Sequence, residues 1–121
     1  MINDQIPRFE KHIIKERLKS MNLPTTDHRV SFVWWVENKA HHIFTVNEYS
    51  ALFDAGNAYR NIYQYEDAGY LSRVTYEGVT YFVSSYVTSK ASPFKCKCCN
   101  NINIEKLLKV KQESLNNDHS N

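Results

Sequence analysis

Apolar positions near the start of the chain recur with a helical period. Phe9, Ile13, Leu18 and Met21, with Ile14 beside them, form one stripe. Pro7 suits the first turn of that helix, where its helical φ helps and its missing amide is not needed. Leu23-Pro24-Thr25-Thr26-Asp27 breaks the pattern, and Thr26 or Asp27 can cap the next helix with a side-chain oxygen. That helix, about His28 to Lys39, carries Val30, Phe32, Val33, Trp34, Trp35 and Val36. It is apolar on most sides and is expected at the centre of the core. So aromatic a run also suits a strand, but the cap before it and the charged exit Glu37-Asn38-Lys39 favour helix.

The periodicity then shortens. His42-Ile43-Phe44 reads as a small strand, and Thr45 followed by Glu48 has capping-box spacing. A short helix is expected from there to about Asp54, with Ala51 and Leu52 inward, followed by a tight turn at Ala55-Gly56-Asn57. The next helix, about Asn57 to Ala68, places Ala58, Ile62 and Tyr65 inward and ends at Gly69, where a left-handed cap is wanted. Two alternating segments, Leu71 to Tyr76 and Val79 to Ser84, flank Glu77-Gly78 and predict a hairpin. The chain's three glycines, Gly56, Gly69 and Gly78, fall at these three turns.

Helix, helix, small strand, helix, turn, helix, hairpin is the order of a winged helix-turn-helix. The expected fold is therefore mainly α with a small β-hairpin (α+β), with that domain over residues 1–90. Residues 91–113 read as a cysteine-containing loop and an amphipathic C-terminal helix, and 114–121 as a flexible polar tail.

Composition changes this picture little. A length of 121 residues with 42% hydrophobic residues suits one domain with a real core. No apolar run approaches the roughly 20 residues of a membrane span, and Met1 to Glu10 holds no leader-like apolar core. A cytoplasmic location with no membrane partner is expected, in keeping with three clustered cysteines that make a poor disulfide framework. The net charge of +2 does not argue for nucleic acid by itself. Basic flanks, Arg8 to Lys19 and Lys90 to Lys111, surround a centre in which Arg60, Arg73 and Lys90 cancel Glu66, Asp67 and Glu77.

In a helix-turn-helix the second helix enters the major groove, which displays a distinct donor and acceptor pattern for each base pair. Its outward face here would carry Asn57, Tyr59, Arg60, Asn61, Tyr63 and Gln64. Arg60 suits a bidentate contact to guanine, Asn61 or Gln64 one to adenine, and Tyr59 and Tyr63 suit phosphates. A solvated polar face, or a tyrosine-rich surface for a protein partner, reads the same residues differently.

Ala58-Tyr59-Arg60-Asn61-Ile62 followed by Glu66-Asp67-Ala68-Gly69-Tyr70-Leu71 resembles the recognition helix of ferric uptake regulator-type repressors. The Glu-x-x-Gly-apolar element is also similar to that of multiple-antibiotic-resistance-type regulators. The resemblance spans roughly Thr25 to Ser85 and implies a DNA-reading helix containing Tyr59 and Arg60. It also implies a wing near Arg73 to Tyr81 that touches backbone or minor groove. Such repressors continue into a histidine-rich metal-sensing domain; this chain has only His119 after the wing, so metal sensing is not carried over.

Cys96 and Cys99 form a C-x-x-C knuckle with Cys98 between them. Structural zinc prefers four ligands, and no second pair exists, so ordinary thiols fit better than zinc and no cofactor is expected. No catalytic constellation appears, so enzymatic activity is not expected. Ile104, Leu107 and Leu108 form a stripe on the last helix that suits either packing on the same domain or homodimerisation over a pseudo-palindromic site. The resulting expectation is a dimeric regulator of transcription that binds double-stranded DNA. The alternative is a winged-helix protein-interaction module.

Overall fold

The computed structural model describes residues 2–53, 55–96 and 101–119. They form an α+β fold in the order α1 (Ile2–Gln5), α2 (Arg8–Ser20), α3 (Asp27–Asn38), β1 (Ile43–Phe44), α4 (Val46–Leu52), a 3-10 turn (Ala55–Asn57), α5 (Ala58–Asp67), β2 (Leu71–Tyr76), β3 (Val79–Ser84), α6 (Ser85–Thr88) and α7 (Ile104–His119).

Local chemistry sets most boundaries. Pro7 directly precedes α2 with φ −58°. Thr26 caps α3, its hydroxyl oxygen accepting the Arg29 amide at 3.3 Å. Thr45 and Glu48 close a full capping box on α4 through bonds of 3.2 and 3.3 Å. Gly69, at φ +84°, ends α5: its amide bonds the Glu66 carbonyl and the Tyr70 amide bonds that of Tyr65, both at 3.0 Å. This is the Schellman arrangement, which needs a left-handed residue at that position. Glu77 and Gly78 both have positive φ, as a two-residue hairpin turn of right-handed twist demands.

The sheet order is β1-β3-β2, antiparallel throughout, with Phe44 opposite Phe82 and Arg73 also opposite Phe82 on the other side. Helix α3 lies at the centre, every residue from Val30 to Val36 being buried. Phe32 joins the parts: its ring lies 5.7 Å from Phe44 of β1, 5.3 Å from Tyr49 of α4, 5.8 Å from Phe53 and 4.6 Å from Tyr65 of α5. Aromatic rings at these separations contribute beyond their buried area, about 0.5–1.5 kcal/mol per pair. One side chain thus sets β1, α4 and α5 relative to one another.

Two expectations are corrected, and one choice left open is decided. Helix α2 buries Ile14 and Leu18, whereas Phe9 is 74% exposed and Ile13 41%. The ridge that meets α3 is the one through Ile14 and Leu18, and Phe9 and Ile13 stand on the next ridge round. On α4, Ala51 and Leu52 face solvent. Val46, Tyr49 and Phe53 take the inward side, because Tyr49 must reach Phe32. Ile104 and Leu107, which suited either packing on the same domain or dimerisation, are buried in the chain's own second cluster with Ile43, Val83 and Val87, and Leu108 packs at its edge. The apolar face of α7 covers β1, so the intrachain alternative for this stripe is the one realised. Among the described residues no helix is long and apolar enough to cross a membrane.

Candidate nucleic-acid interface

Helix α5 owes its orientation to Ala58, Ile62 and Tyr65, all buried against the core. Their spacing turns Tyr59, Arg60 and Tyr63 outward, and all three are exposed, as is Asn57 at the cap. The rings of Tyr59 and Tyr63 lie 6.1 Å apart, one turn of the helix, in a tilted pair on the outer face.

The other two expected base readers lie on the flank and bond within the protein. Asn61 donates through Nδ2 to the Tyr49 hydroxyl at 3.1 Å, and that hydroxyl also meets His28 Nε2 at 3.2 Å. Gln64 accepts a hydrogen bond from the Arg29 guanidinium, which also lies over the Tyr65 ring, 5.4 Å from its centroid. Burial pushes the Tyr65 hydroxyl up to about 12, against the opposing effect of Arg29. Asn61 and Gln64 therefore fasten α5 to α3 and α4, and the outward set contracts to Asn57, Tyr59, Arg60 and Tyr63.

A second fastening holds the far end of α5. Arg17 of α2 grips Glu37 of α3 with two parallel bonds of 2.5 and 2.7 Å, and Tyr70, just past α5, donates to Glu37 Oε2 at 3.0 Å. The hydrogen bonds that Arg17 donates to Glu37 raise the pKa of its guanidinium, and burial followed by the nearby Glu37 charge raises the Tyr70 hydroxyl well above its usual range. Helices α2, α3 and the end of α5 are locked through one carboxylate.

The β2–β3 hairpin brings Arg73 back against α5. Its Nη2 bonds Glu66 Oε1 at 2.9 Å, and its guanidinium stands 5.2 Å from the Tyr63 ring centroid and 5.5 Å from that of Phe82. The Glu66 hydrogen bond raises its pKa further, so Arg73 is charged but paired. Arg60 is left as the exposed cation of the outward face.

Sequence reasoning missed Arg29, the Glu66–Arg73 pair and Lys111. Arg29 had a signal, being polar in a helix otherwise apolar on most sides. Lys111 had one too, since it continues the stripe of Ile104 and Leu107. Glu66 and Arg73 are joined only by the way the hairpin folds over α5, and no spacing rule foretells that. Cys96 is exposed and its amide bonds the Asn101 carbonyl at 2.9 Å; Cys98 and Cys99 lie outside the described residues. Among the described residues no three metal-ligating side chains converge.

Comparisons of the chain with protein families, with curated proteins and with solved structures find no match.

Proposed function

We propose that this chain is a winged helix-turn-helix module that binds double-stranded DNA and regulates transcription, with α5 as the helix that enters the major groove. One observation carries the reading: α4 and α5 form a helix pair joined by a tight turn, and the following hairpin closes a β1-β3-β2 sheet beside α5. That arrangement leaves Asn57, Tyr59, Arg60 and Tyr63 on a rigidly held, solvent-facing helix surface. Arg60 is the base reader of this set, bidentate to guanine, and the tyrosines meet phosphate or sugar. The Tyr59-Arg60 pair and its resemblance to ferric uptake regulator-type repressors support the same assignment. A homodimer would bring two α5 helices to successive turns of the duplex, through a surface other than Ile104 and Leu107.

Fluorescence anisotropy with random-sequence and selected duplexes, over a series of salt concentrations, tests the proposal. Affinity should fall steeply with salt and sharpen on selection. Binding absent at about 50 mM salt would overturn it.

A second reading, a protein-interaction module, is favoured by the exposed Tyr59–Tyr63 pair beside a wing whose Arg73 is already neutralised by Glu66. Under that reading Arg60→Ala leaves DNA behaviour unchanged, while Tyr59→Ala abolishes complex formation with a purified partner.

A further inference from the structure

We infer that Arg73 is a phosphate-binding position held closed by Glu66, so that Glu66 limits the affinity of this chain for a polyanion; this rests on α5 and the wing being the DNA-facing surface. Three contacts define the position. The guanidinium stands over the rings of Tyr63 and Phe82, 5.2 and 5.5 Å from their centroids. Glu66 Oε1 takes Nη2 at 2.9 Å.

A cation over a ring face spends no N–H donor on that contact, so the aromatic seat persists whichever anion takes the Nη2 donor now bonded to Glu66. A carboxylate and a phosphodiester each carry one negative charge and offer two oxygens to the same planar donors, which makes them direct competitors. The pair is open to that competition: Arg73 is 44% exposed. Exposed pairs of this kind are weak. In the resting protein the wing presents a neutral pair to DNA. A bound phosphate must displace Glu66 and leave its carboxylate close to the duplex.

Removing the Glu66 charge should therefore open the position. In anisotropy titrations of the full chain with a fixed duplex, Glu66→Gln should bind roughly fivefold more tightly at low salt. The slope of log affinity against log salt should steepen by about 0.9, one phosphate's worth. The gain must vanish in the Arg73→Gln background, and Arg73→Gln alone should change wild-type affinity little. Asp67→Asn removes an equal charge from an exposed neighbour and should give a smaller gain that survives in the Arg73→Gln background. Circular dichroism melts of each variant establish that the hairpin stays folded.

Equal gains from Glu66→Gln and Asp67→Asn, or a Glu66→Gln gain that persists without Arg73, would overturn the inference and leave the DNA reading intact. So would a full-slope loss on Arg73→Gln with no effect of Glu66→Gln, because Arg73 would then already sit on phosphate in the wild type. If wild type and Glu66→Gln alike ignore DNA at low salt, both the inference and the reading fall.

Discussion

Arg60 and Arg29 carry the same charge on neighbouring helices and sit in opposite surroundings. Arg29 is turned onto Gln64 and the Tyr65 ring, where it holds α5 in place; Arg60 is exposed on the outer face of α5. Under the proposed DNA reading, Arg60→Ala should cost about 1–3 kcal/mol against a specific duplex and relax preference at one base pair. Its thermal unfolding should match the wild type, which separates recognition from folding. His42 offers a different test. It has a positive φ, bonds the Ser84 hydroxyl through Nδ1 at 2.7 Å and stacks on Tyr86 at 4.4 Å. Burial lowers its pKa below the ordinary 6.5, with His41 and Arg17 acting in the same direction and Glu37 opposing. Below that ordinary value the unfolded chain gains a proton that the folded chain resists, so stability falls as the solution is acidified from about pH 7 to pH 5. Asparagine tolerates the left-handed backbone, so His42→Asn should flatten this acid-side decline in melting temperature. A decline of unchanged steepness in the variant would assign it to other groups.

At the scale of elements, Glu48 serves two partners at once. Its Oε1 accepts the Thr45 amide that starts α4, and both its oxygens accept Lys111 Nζ from α7, at 3.0 and 2.7 Å. Lys111 Nζ also donates to the Ile43 carbonyl of β1 at 2.7 Å. One ammonium thereby ties α7, β1 and α4 together, while its stem packs where the apolar stripe of α7 continues. Lys111→Met keeps the stem and loses the three bonds. Because Glu48 is 41% exposed and can rehydrate, the expected loss is about 1–2 kcal/mol in denaturant unfolding. Glutamine can still close a capping box and alanine cannot, so Glu48→Ala should be about 1 kcal/mol worse than Glu48→Gln. Equal losses would mean that the cap contributes nothing. The capping box itself was legible in the spacing of Thr45 and Glu48. Its link to Lys111, 63 residues away, was not, because nothing local brings α7 to α4.

For the whole molecule, α7 decides how the second cluster is closed. Ile43 and Val83 pair across the sheet, and Ile104 and Leu107 cover them. Leu107→Ala should cost about 2–5 kcal/mol, as expected for a buried leucine whose site cannot collapse. Leu108→Ala, at the rim, should cost clearly less. Calorimetry with light scattering alongside checks this. If Leu107→Ala yields a stable monomer from a wild-type dimer, the stripe would be an interface after all.

Elements whose information is local were determined by the sequence alone: an α3 cap at Thr26 or Asp27, the cap at Thr45, the Gly69 stop, the Glu77-Gly78 turn and the inward set Ala58, Ile62 and Tyr65 on α5. Each depends on a few neighbouring residues and on backbone angles that only certain side chains accept. The centre of the core at α3 was equally plain, since a helix apolar on most sides has nowhere else to go. Tertiary structure decided which of two apolar ridges α2 buries, which face α4 turns to Phe32, and whether α7 closes its own chain or another. It also decided that Asn61, Gln64 and Arg73 bond to Tyr49, Arg29 and Glu66. Periodicity says that a face is apolar or polar, but the occupant of that face is a long-range choice. It is made by ring packing and hydrogen-bond geometry between residues far apart in the chain.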